Sequence, residues 1–109
     1  MAENFVFTEL QQQIEPPNEL HFWRTQTKAE VDLIIEFPNN VIPVEVKFRP
    51  MNSPQMSRSL RSFLDSYNPP LGLVFTKNYS NKITVDKTEV MFLPLWALLF
   101  LKLEYLQCA

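Results

Sequence analysis

Residues 30–47 read EVDLIIEFPNNVIPVEVK. Two apolar runs flank a short polar turn, and acidic residues stand where a strand would carry Val or Ile. Alternation along each run predicts two strands. The Pro-Asn-Asn between them predicts a tight turn, because Asn tolerates the positive φ that a short hairpin loop needs. With Asn39 and Asn40 as a two-residue loop, Pro38 faces Val41, Glu36 faces Pro43, Ile34 faces Glu45 and Asp32 faces Lys47. Side chains alternate along a strand and opposed residues share a face. Asp32, Glu45 and Lys47 therefore fall on one face, and Val31, Leu33, Ile35, Val44, Val46 and Phe48 on the other. The second face is wholly apolar and must be core. A slip of one residue would expose all of it.

Neighbouring side chains across strands have Cβ atoms about 5 Å apart. Two carboxylates that close repel each other unless a cation sits between them. Mg²⁺ takes oxygen ligands and suits such a pair. Lys47 would then balance charge, position a water or stabilise charge developing on a phosphate. The plainer alternative is an open sheet face with an ordinary Asp–Lys cross-strand pair, and the E-x-K spacing is common.

Outward from the hairpin, residues 2–14 predict a helix, with Val6 and Leu10 on one stripe, Glu3 one turn before them, and Phe5 and Glu9 on the next stripe. Pro16 and Pro17 end it. Residues 20–26 (LHFWRTQ) predict a strand, and Pro50 and Pro54 bracket a loop. Residues 55–68 predict a helix with Met56, Leu60, Phe63, Leu64 and Tyr67 on one face and Arg58 and Arg61 off it. LGLVFT (71–76) predicts a strand buried on both faces. NYSNK predicts a turn and ITV a short strand. VMFLP leads into a final helix from residue 94 to about 106, with Pro94 in its first turn.

The chain has 109 residues, 46% apolar and 13% aromatic, which suits one globular domain over residues 1–109. A net charge of −2 lacks the strong basic field of a general nucleic-acid binder, though a local patch could still act. One cysteine, Cys108, excludes a disulfide framework and suits a reducing, cytoplasmic setting. The longest apolar run, residues 93–101, is about half of what a bilayer span needs, so no membrane association is expected. A single glycine, Gly72, rules out phosphate-cradling glycine loops.

The acid on one strand followed by E-x-K on the next, with the order α-β-β-β-α-β, resembles the PD-(D/E)XK nuclease superfamily. ENFVFTEL, HFWRTQTKAEVDLIIE, IPVEVKF and SLRSFLDSYNP resemble, more closely, the nuclease-like C-terminal module of bacterial and archaeal AAA+ ATPases, a domain of unknown function. That resemblance covers nearly the whole chain. It implies an α/β (α+β) restriction-endonuclease-like core, a mixed sheet flanked by helices. In that family an ATPase domain in the same chain is the usual partner, which implies a fragment of a longer chain here, or else a stand-alone relic or an expressed domain.

On the resemblance, Asp32, Glu45 and the carbonyl of Val46 hold Mg²⁺ or Mn²⁺, Lys47 orients the attacking water, and a helix glutamate, Glu3 in preference to Glu9, supports the metal. DNA is the expected substrate. A catalytically inactive accessory domain docking on the ATPase is the alternative. Arg24, Arg49, Arg58 and Arg61 could line a phosphate-binding rim, although a solvated helix face is the default for Arg58 and Arg61. Glu30 reads as the start of a strand before it reads as a ligand. Phe22 and Trp23 read as core. His21 is the lone histidine, so no His-metal cluster or His-based triad is expected, and it reads as a strand side chain.

Overall fold

A computed structural model describes residues 2–14, 16–22, 33–47 and 50–99, the side chains of 2–4, 22, 98 and 99 excepted. The elements are α1 (Ala2–Gln13), β1 (Glu19–Phe22), β2 (Leu33–Glu36), β3 (Val41–Lys47), α2 (Arg58–Tyr67), β4 (Leu71–Thr76), β5 (Asn81–Val85) and β6 (Thr88–Pro94), followed by a 3-10 helix over Leu95–Leu99. All six strands join one mixed sheet in the order β1-β2-β3-β4-β6-β5. β1, β2 and β3 form an antiparallel meander. β3, β4 and β6 run parallel, and β5 closes the far edge antiparallel to β6. This is the α+β class expected.

Each face of the sheet is covered. Val6 and Leu10 of α1 pack with Leu33, Ile35, Val44, Val46, Leu73 and Phe75, and Leu95 adds to this layer. Leu60 and Leu64 of α2 pack with Met51, Val74, Val90 and Phe92 on the opposite face. β4 is buried along its whole length, as an inner strand between parallel neighbours must be.

α2 begins at Arg58, three residues inside the predicted span, because Ser57 caps it. The Ser57 hydroxyl accepts the Leu60 N–H at 3.0 Å. The helix ends at Asn68, which takes the left-handed conformation (φ 46°) and donates its N–H to the Leu64 carbonyl. Ser57→Ala should therefore cost about 1 kcal/mol in chemical denaturation; an unchanged midpoint would deny the cap any role. Tyr67, expected on the buried face, is 60% exposed and lies against the buried Phe63 with ring centroids 4.6 Å apart.

Beyond α2, Pro69 and Pro70 offer carbonyls but no N–H groups. The Thr88 hydroxyl donates to the Pro69 carbonyl at 2.6 Å, and the Glu89 N–H donates to that of Pro70 at 3.1 Å. These bonds latch the entry of β4 to the start of β6.

Two expectations need correction. The β2–β3 loop has four residues, Phe37–Asn40, closed by the Phe37 N–H donating to the Asn40 carbonyl at 2.8 Å. The register is Glu36–Val41, Ile35–Ile42, Ile34–Pro43 and Leu33–Val44, two residues away from the predicted one. Phe37 turns into the core and Pro38 has no N–H for a ladder, so the strand stops earlier. An even shift keeps every described side chain on its predicted face, but Glu36 no longer faces Pro43, nor Ile34 Glu45. The Asp32–Lys47 pair lies outside the described residues.

The second correction concerns residues 88–94, which are a sheet strand and not the approach to a helix. Pro94 ends that strand, and only a 3-10 helix follows over Leu95–Leu99. The missed signal is the two-residue turn at Asp86–Lys87, where Asp86 accepts φ 55°. Residues 100–106 of the expected helix lie outside the described residues.

Candidate active site

β3 sits between β2 and β4 with a layer on each face, so Ile42 to Val46 are all buried. Four of those five are apolar, as such a strand requires. The fifth is Glu45, at 0% exposure with both carboxylate oxygens sealed from solvent. Withdrawing a carboxylate from water costs several kcal/mol unless a charge partner or a bound cation compensates it. Strand chemistry alone gives no reason for it.

Across the parallel ladder Glu45 is opposite Val74, Val46 opposite Phe75, and Lys47 opposite Thr76. Glu45 and Lys47 thus share the face that α2 covers, while Val46 turns into the α1 layer. Lys47, the last residue of β3, is half-buried. Its neighbour Thr76 is fully buried and braces the next turn: its hydroxyl accepts the Tyr79 N–H and donates to the Tyr79 carbonyl, both at 2.9 Å. The Tyr79 ring meets Phe92 edge-on at 5.8 Å. Asn78 accepts the Met51 N–H at 3.3 Å, tying the segment after β3 to the turn after β4. The carboxyl ends of β3 and β4 therefore share one braced rim, the side of an open α/β sheet at which ligands bind.

The donors fit a hard divalent cation: a buried carboxylate and, beside it, a main-chain carbonyl at Val46. Asp32, Arg49 and Glu30 lie outside the described residues, as do Trp23 and Arg24. α1 packs on the face of the sheet away from Glu45, and the side chain of Glu3 lies outside the described residues. Glu9 is half-buried on the same helix. Arg58 and Arg61 are exposed on the first turns of α2, in the layer over Glu45. Sequence reasoning missed Thr76, whose position beside Lys47 follows only from the parallel register.

Residues 1–98 match the model of DUF4143, a domain of unknown function. The chain belongs to the DUF4143 family. The DUF4143 match takes in every described element of the sheet and both long helices. Two curated mycobacterial proteins are 40% identical to this chain over 62 residues: the uncharacterized protein Mb2031c of Mycobacterium bovis and the uncharacterized protein Rv2008c of Mycobacterium tuberculosis. The aligned stretch is 57% of this chain but 13% of each relative. No solved structure matches. Among the described residues no helix is long and apolar enough to cross a membrane.

Proposed function

We propose that this DUF4143 domain is a metal-dependent phosphodiesterase module acting on DNA, carried at the C-terminus of a longer ATPase-containing chain. The observation that carries the proposal is the fully buried Glu45 with Lys47 two residues on, along the same face and at the carboxyl end of an inner strand. The nuclease superfamily resemblance supports it, and the far greater length of the curated relatives is in keeping with a larger host chain.

In this reading the Glu45 carboxylate, the Val46 carbonyl and Asp32 hold Mg²⁺ or Mn²⁺, with Glu3 acting through a water. When bound, the ion lowers the pKa of a coordinated water and screens the phosphate. Lys47 orients the attacking water and stabilises charge building on the phosphate oxygens. Arg49, Arg58 and Arg61 grip the flanking phosphates.

A second reading, an inactive accessory domain that docks on the ATPase, draws on the acidic balance and on Trp96, which is 62% exposed. Cleavage of a panel of supercoiled, linear and branched DNA with Mn²⁺ separates the two. Cleavage by the wild type that vanishes in Lys47→Ala is expected. Silence of the wild type on every substrate would favour the accessory reading.

A further inference from the structure

His21 is the only histidine in the chain. It lies on β1, at the opposite side of the meander from β3, and the fold sets two carboxylates beside it. Glu19 is directly opposite Glu36 across the β1–β2 ladder, and His21 lies two residues beyond Glu19 on the same face. One ligand atom from each of Glu19, His21 and Glu36 lies within 4.8 Å of the others. His21 Nε2 is 3.9 Å from a Glu36 oxygen, and the two side chains are 48% and 49% exposed.

We propose that Glu19, His21 and Glu36 form a surface binding site for a divalent transition ion of the Zn²⁺ class. Like charges directly opposed on a sheet repel, and the Glu19–Glu36 pair is such an opposition. An ion between them turns that repulsion into attraction. The imidazole decides the class of ion. Two carboxylates alone would suit Mg²⁺ or Ca²⁺, whereas a nitrogen donor favours Zn²⁺, Co²⁺ or Ni²⁺. Three protein ligands leave a fourth position for water, and exposure on the sheet surface admits it. Ligand atoms at about 2.0–2.2 Å from one Zn²⁺ stand roughly 3.5 Å apart. Small rotations of exposed side chains close the remaining gap. The backbone needs no change, because the ladder already fixes all three Cα positions.

This site shares no residue with the Glu45 site, and the inference does not rest on the phosphodiesterase reading. The test uses the 109-residue chain, titrated with Zn²⁺, Co²⁺ and Mg²⁺ while the imidazole resonances are followed by NMR. With one histidine the signal has a single assignment. Zn²⁺ is expected to shift it in a saturable one-to-one titration, and excess Mg²⁺ is expected not to compete. His21→Ala and Glu36→Gln should each weaken Zn²⁺ binding by about tenfold or more, since losing even a supporting partner of a ligand costs 10–100-fold. Both exposed substitutions are expected to keep the far-UV circular dichroism of the wild type, which shows that a weakened titration is a ligand effect. An imidazole that stays put on adding Zn²⁺, binding only at millimolar ion, or affinity that survives both substitutions would overturn the site.

Discussion

Glu45→Gln is expected to leave the domain folded while removing its response to Mn²⁺. The carboxylate is fully buried on an inner strand, where a neutral isostere avoids the cost of desolvating a charge. Under the proposed function, keeping the charge there trades stability for a metal site. In the wild type, Mn²⁺ at about a hundred times its dissociation constant should add about 2.7 kcal/mol. In Glu45→Gln that gain should vanish, and DNA cleavage should fall at least a hundredfold, because loss of mere supporting partners of a metal ligand already costs 10–100-fold. Asp32→Asn should follow the same pattern. Thermal melts with and without Mn²⁺ decide the matter. A loss of about 3 kcal/mol or more in metal-free Glu45→Gln would instead make Glu45 one half of a structural buried pair.

Phe75→Ala is expected to be the most destabilising single change described for this fold, at about 3–5 kcal/mol. The ring is fully buried on β4, in the α1 layer with Val46, Leu71 and Leu73. Set against a total of about 5–15 kcal/mol for a domain of this kind, the loss is a large share. It has a local consequence too. Phe75 is the ladder partner of Val46, the residue between Glu45 and Lys47. Truncating the ring should therefore loosen the strand that presents both groups, and Mn²⁺ stabilisation should weaken at temperatures where the variant is still folded. Urea denaturation measures the first effect and metal-dependent melting the second. A cost below about 1 kcal/mol would mean that the layer closes around the void, contrary to close packing.

The fold was legible in the sequence wherever burial alone sets the pattern. Val6 and Leu10 marked the inner stripe of α1, and LGLVFT marked β4 residue for residue. The faces of the β2–β3 hairpin were legible as well, because a period of two survives any even slip. The register was not, because it depends on whether Phe37 extends the strand or drops into the core, a choice made by tertiary packing. β6 was misread since VMFLP carries apolar residues on both faces, and nothing local separates an inner strand from the lead into a helix. Of the candidate site, Glu45 and Lys47 were legible from E-x-K and a shared face. The proximity of Thr76 came only with the parallel pairing to β4. The company His21 keeps came only with the β1–β2 register.

The latch between the two prolines and the start of β6 bears on the order in which the molecule assembles. β5 and β6 are joined by two residues, Asp86 and Lys87, and can zip as soon as the chain leaves Asn81. The ladder between β3 and β4 has no such shortcut. It waits for the whole excursion from Lys47 to Leu71, with α2 inside it, to close on itself. Thr88 and Glu89 help by holding Pro69 and Pro70, so the returning chain meets a hairpin already in place. The walls around Glu45 and Lys47 thus belong to the ladder that closes the longest loop among the described strand pairs. Proteins open locally in contiguous units, with free energies below that of global unfolding. A fluctuation that exposes the buried carboxylate can leave the β5–β6 half intact.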